Sequence, residues 1–190
     1  MSSGIYYPGV GGDDGYGTES LSQFDSSAAY ILFGHVSYAR WGFCRFANVS
    51  IPKNAVINSA YIRFRATNNQ SGTCNINIDA AAADDQAAPT SYAELAGISL
   101  TGSPVSWAPA DWSIGVQYDT DDIASLIQAT VNRAGWASGN ALLISLRYVS
   151  GGNVRYADSF EGTTKEELHV DWTVPDPEGS ISGGAGASGA

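Results

Sequence analysis

Two neighbouring stretches dictate most of what this chain can fold into. In "VINSAYIRFRAT" (Val56 to Thr67), Ala60, Ile62, Phe64 and Ala66 fall on one side, and Tyr61, Arg63 and Arg65 on the other. After the turn "NNQSG" the pattern resumes in "TCNINIDAAA", with Cys74, Ile76 and Ile78 set against Asn75, Asn77 and Asp79. A period of two belongs to a strand with one buried face, because successive Cβ atoms point to opposite sides.

Other segments read the same way. "AAYILFG" is a strand, and "YARWGFCRFANVSIP" holds another in which Cys44 and Phe46 alternate with Phe43 and Arg45, ended by Pro52 and the turn "KNA". "ALLISLRYV" is a buried strand with a nearly continuous apolar run. "SGGN" then reads as a hairpin turn, and "VRYADSF" and "ELHVDWTVP" as the last two strands. The helical period is clear in one place, "DDIASLIQATVNRAG", with an apolar stripe of Ile123, Leu126, Ile127 and Val131. Thr120 or Asp119 is its expected cap, Asp121 and Asp122 suit its positive end, and Arg133 its negative end. Gly135 is its expected stop. Ala80 to Ser99 has little periodicity, with a short helix expected near Ser91 to Leu95.

Composition agrees with an all-β chain. Only 15% of residues are charged, against roughly 25% in an average domain. Glycine (22), tyrosine (10) and tryptophan (5) are abundant, which suits strands joined by many turns. A net charge of −10, with two lysines among nine basic residues, excludes the basic face that nucleic acid requires. It equally disfavours an anionic membrane surface, and no stretch reaches the roughly 18 apolar residues of a membrane-spanning helix. The expected organisation is an irregular Gly/Tyr-rich arm (1–20), a sandwich domain (21–174) and a Gly/Ala/Ser-rich tail (175–190). Cys44 and Cys74 read as buried free thiols, with one bridge between paired strands as the alternative.

The cap-helix followed by "VNRAGWASGNALLISL", "GGNVRYADSFEG" and "ELHVDW" resembles the C-terminal half of the DNRLRE-like, carbohydrate-binding-module-like β-sandwich domains. "CRFANVSIPKNAVINSAYIRFRA" and the Trp107–Trp112 segment are similar to the family's N-terminal half and middle, so the resemblance spans about residues 28 to 173. It implies a jelly-roll-type β-sandwich with one short α-helix. It also implies a module that occurs on secreted surface proteins, sometimes as a polysaccharide binder, and in virus structural proteins. No catalytic motif comes with it, so no enzyme is expected.

Each candidate residue has two readings. Trp136, between a helix end and a buried strand, reads as a structural plug rather than a ligand platform. Trp107, Trp112 and Tyr118 lie on an irregular connection and are the candidate sugar platform, or else the packing of a Pro-rich loop. Arg155 and Glu161 read as parts of an arginine–carboxylate staple. Asp158 and Glu161 are a weak candidate for a catalytic carboxylate pair. Asp13–Asp14, Asp84–Asp85 and Asp119–Asp121–Asp122 are candidates for a structural calcium, the last already accounted for by helix capping, and none has EF-hand spacing. No other cofactor is expected. His35 and His169 are lone, without a zinc pattern around them.

These readings give a structural or surface subunit of a larger assembly, most plausibly a virion decoration or other capsid or tail surface protein held by extended termini. Its partners would be copies of itself or other capsid and tail proteins. The alternative is a carbohydrate-binding module that takes a polysaccharide glycan on its loop aromatics. The N-terminus has neither a basic region nor an apolar run, so the expected location is a virion, the chain being made in the host cytoplasm without Sec export. An extracellular or cell-surface location follows if a leader was removed.

Overall fold

The computed structural model describes residues 1–175. In chain order the elements are β1 (Ser2–Tyr6), β2 (Asp14–Thr18), β3 (Gln23–Asp25), β4 (Tyr30–Val36), β5 (Tyr38–Phe46), β6 (Val56–Arg65), β7 (Cys74–Ala80), α1 (Tyr92–Gly97), β8 (Val105–Trp107), β9 (Gln117–Asp119), α2 (Ala124–Val131), β10 (Leu142–Gly151), β11 (Val154–Asp158) and β12 (Glu167–Thr173). One sheet runs β1-β12-β6-β9. The other runs β11-β4-β5-β10-β7-β8, with β2 paired to β5 and β3 to β2. This is the all-β sandwich that the alternating segments require, with short helices at its margins.

The two sheets bury their apolar faces against each other. Phe33, Phe46, Ile62, Phe64, Ile76, Ile78, Ile144 and Leu168 all lie in that core, together with Trp107, Trp112, Trp136 and Trp172. α2 lies beside β6 and adds its stripe of Ile123, Leu126, Ile127 and Val131 to the same core. A smaller cluster of Phe43, Ala81, Leu95 and Leu143, with Phe24, Trp41 and Ile98 against it, covers part of the larger sheet's outer face. Asp79, expected to face solvent, is therefore buried there at 5% exposure, with Arg147 3.7 Å away.

Several expectations are corrected. Residues 1–20 are not an irregular arm. β1 pairs with β12 from Ser2↔Trp172 to Tyr6↔Leu168, β2 pairs with β5, and Tyr6, Asp13 and Asp14 are buried. Glycines hide the alternation of these strands, and their partners lie far away in sequence. "SGGN" is not a hairpin turn: β10 pairs with β5 and β7, whereas β11 crosses to β4 and touches β6 through the bridge Ala157↔Ala66.

α2 begins at Ala124, and Asp122 Oδ1 receives the Ala124 N–H at 2.9 Å. Thr120 and Asp119 serve β6 instead, by accepting from Ile62 N–H and pairing with Arg63. The helix ends at Asn132, ahead of Gly135. The Asp84 carboxylate lies over Gly135, in the space a Cβ would take. A second helix, α1, caps its start with Ser91 Oγ accepting from Glu94 N–H. The expected tail spans residues 175–190, and from 176 onward it lies outside the described residues.

Candidate functional site: a polar sheet face, an open edge and a buried acid pair

The outer face of the four-stranded sheet is where polar side chains gather. Antiparallel pairing sets them in three cross-strand rungs: Ser3–Asp171–Ser59, Ile5–His169–Tyr61 and Glu167–Arg63–Asp119. Side chains opposite one another on one face interact directly. Arg63 donates to both Asp119 oxygens, from Nε at 2.7 Å and Nη2 at 2.8 Å. The guanidinium carbon lies 5.4 Å from the centre of the Tyr61 ring. Tyr61 stacks on His169 with centroids 4.7 Å apart and planes 7° from parallel. His169 Nε2 is 2.7 Å from Glu167 Oε2 and donates to that carboxylate.

A groove of about 240 Å³ lies over the first two rungs, lined by Ser3, Ile5, Ser59, Tyr61, His169 and Asp171 among others. Its groups can hydrogen-bond and pack, but they are not arranged as a nucleophile with its base. Ser59 Oγ is engaged by Asp171 at 3.2 Å, and the His169 ring spends one face on Tyr61.

β1 borders this face, and among the described residues its outer edge has no strand beside it. Its five residues, Ser-Ser-Gly-Ile-Tyr, carry no charge and no proline, and Ile5 is 49% exposed. The other described sheet margins are guarded. β3, β8 and β9 have three residues each, with Asp25 within β3, Pro104 in front of β8 and Asp119 within β9. β11 is tied to the other sheet at Ala66, and Thr67 N–H donates to Tyr156 O.

Beneath the N-terminal segment lies an acid pair. Asp14 on β2 and Glu166, just before β12, are both fully buried, and their carboxyls lie within hydrogen-bonding reach of each other. Asp14 Oδ2 receives the Phe160 N–H at 2.7 Å. Asp14 Oδ1 and both Glu166 oxygens have no partner of full hydrogen-bond geometry among the described residues, while the amide of Glu166 itself and the Cys44 thiol lie near the Glu166 carboxyl and favour its charged form. Burial pushes Asp14 up to about 6 and Glu166 well above the ordinary carboxylate range. Perturbed carboxyls of this kind often mark active sites. The adjoining groove of about 430 Å³ is lined by Val10, Gly11, Gly12 and Asp13 among others, and Asp14 is not part of its lining.

The residues singled out in the sequence lie elsewhere. Trp107 and Trp112 are 5% and 2% exposed, so they are not a sugar platform: a stacking ring needs a free face, and theirs are covered by Phe33 and Phe64. Tyr118 is half-buried, stacks on Trp112 at 5.1 Å, and accepts the Ser113 N–H through its hydroxyl. Trp136 is buried and its indole N–H donates to Ile51 O at 3.0 Å.

Arg155 makes no staple with Glu161. Its guanidinium is fully buried and donates to the carbonyls of Gly72, Pro109, Ala110 and Val154, with Asp111 at 4.0 Å. Arg65 takes Asp158 at 2.7 Å, and Glu161 is exposed. Asp84 pairs with Arg133, and Asp85 Oδ1 accepts the Ala141 N–H, so both members of this calcium candidate are engaged by protein donors. Cys44 and Cys74 are buried and unbridged.

The face residues Tyr61 and Arg63 were legible as an outward row of β6. Their assembly with β9, β12 and β1 was not, because that pairing is non-local. Asp14 and Glu166 were not legible as a pair: Asp14 lies in a Gly-rich segment that reads as irregular, with Asp13 beside it as a calcium candidate, and Glu166 is one of two adjacent glutamates in "TKEEL". A scan against protein-family models finds no match for the chain, and a search of curated proteins finds none either.

Proposed function

We propose that this chain is a non-catalytic structural subunit of a larger assembly, a surface or decoration subunit of the kind a virion carries, and that it meets a second copy of itself along β1. The observation that carries the reading is the outer edge of β1, which no strand among the described residues covers. Monomeric sheet proteins shield their edges with lysine, proline, bulges or very short strands, because unpaired N–H and C=O groups template pairing with another chain. β1 uses none of these devices within its five residues. On a chain of net charge −10 it is also a stretch where two copies can approach without like-charge contact. The N-terminus therefore contributes a folded strand to the join rather than an extended arm.

Sedimentation across a wide concentration range tests this reading. The wild-type chain is expected to associate. Ile5→Lys, whose side chain points outward, should return it to a monomer with an unchanged circular dichroism spectrum. A wild-type chain that stays monomeric throughout would refute the reading.

The carbohydrate-binding alternative has one observation in its favour, the groove over Ser59, Tyr61, His169 and Asp171. On that reading Tyr61→Ala abolishes retention on a polysaccharide column while the fold persists. Retention unaffected by Tyr61→Ala would remove this groove from consideration.

A further inference from the structure

The N-terminal segment is held to the body of the sandwich at two places, β1 on β12 and β2 on β5. The acid pair sits at the second. Cys44, which faces it from β5, is itself fully buried. Glu161, on the loop after β11, and Asp13 add negative charge nearby. The cation on the adjoining strand, Arg45, is already committed to Asp13 at 2.7 Å and to Gln86 O at 2.6 Å. Two carboxyls in such a place can satisfy each other only while a proton lies between them, since an ionised carboxylate accepts but cannot donate.

We propose that Asp14 and Glu166 form a proton-operated latch: one proton shared between them keeps β2 seated on β5, and lifting Asp14–Thr18 out of the sandwich releases that proton to solvent. The direction of the shifts sets the sign. Both groups bind protons more tightly in the seated state than in the open one, so the latch is strongest at acidic pH. It weakens as pH rises from the ordinary carboxylate range towards the pair's own titration. The chemistry requires no metal, cofactor or oxidant. β1 rides on the same segment, so control of assembly by this latch rests on the reading of β1 given above, whereas the latch itself does not.

Hydrogen exchange on the full chain, corrected for the intrinsic pH dependence of exchange, tests it. Protection of the β2 amides should fall about tenfold per pH unit for each proton released, hence more steeply below about pH 6, where the seated Asp14 also holds a proton, and about tenfold per unit above it until the pair has titrated. Amides of β7 and β10 should stay flat as internal controls. Glu166→Gln, whose amide donates to Asp14 without titrating, should flatten the slope above about pH 6, where Asp14 is ionised. Should Glu166→Gln fail to fold, Asp14→Asn removes the other acid and should make the slope shallower.

A β2 protection that ignores pH in the wild-type chain overturns the proposal. So does a slope that survives both substitutions, or one shared equally by β7 and β10. Sedimentation on the same samples separates the two readings. Association without a β2 slope sinks the latch alone, and a β2 slope without association sinks only the role of β1.

Discussion

Replacing Arg155 by alanine is the severest single perturbation the structure offers outside the apolar core. Its guanidinium is completely buried, and four carbonyls receive it: Gly72 O at 2.8 Å, and Pro109, Ala110 and Val154 O at 3.0 Å each. These carbonyls belong to three separate parts of the chain, the loop before β7, the segment between β8 and β9, and β11 itself. Alanine removes all the donors at once and leaves a cavity that water enters only in part. A buried acceptor left without its partner costs about 1–3 kcal/mol. The Gly72 and Ala110 contacts are only partly buried, so water can replace them at lower cost. Taking about 1 kcal/mol for each of the four gives a loss of about 4 kcal/mol, a large part of the 5–15 kcal/mol typical of a whole domain. Urea unfolding followed by far-ultraviolet circular dichroism measures it directly. Arg155→Lys should recover only part of the loss, because an ammonium cannot reproduce the planar fork that spans these carbonyls. A loss below about 1 kcal/mol for Arg155→Ala would refute the reasoning; it would mean that the loops hold their places without the arginine.

Two further outcomes follow from burial. Trp107→Ala should cost about 3–5 kcal/mol in the same urea assay, the range for truncating a core aromatic, whereas a binding platform would leave the midpoint unmoved. Cys44 and Cys74 should resist a water-soluble thiol reagent in the folded protein and react fully in denaturant. Both are buried, and burial pushes the Cys74 thiol up to about 11 and that of Cys44 well above its ordinary value.

Much of the sandwich could be read from local pattern. The rows Ala60, Ile62, Phe64 and Cys74, Ile76, Ile78 face the core because a period of two leaves them no other choice. The α2 stripe is buried for the corresponding helical reason. What could not be read depends on which strand lies beside which. Nothing in "SSGIY" names β12 as its partner, and nothing in "VSGGNV" says that β10 and β11 part company. Trp107 and Trp112 show the limit from the other side. A proline-punctuated loop with two tryptophans looks the same in sequence whether it faces a ligand or lies against Phe33 and Phe64. The sheet face of Tyr61, Arg63 and His169 became a site only once β6, β9 and β12 were adjacent. The acid pair joins two residues 152 positions apart, each of which alone looks like surface charge.

The pairing of β1 with β12 also sets an order of events in time. Ser2 meets Trp172, 170 residues further along. On the ribosome the first strand emerges early and cannot take its place until nearly all of the rest has been made. Contacts of such sequence separation form late, because the long intervening loop must close first. The four-stranded sheet therefore closes last. Until then its first strand travels uncharged and unpaired, the condition in which strand edges most readily find the wrong partner. Tethering at that stage, or crowding by sibling chains, would show itself in yield before it showed in the structure of the finished fold.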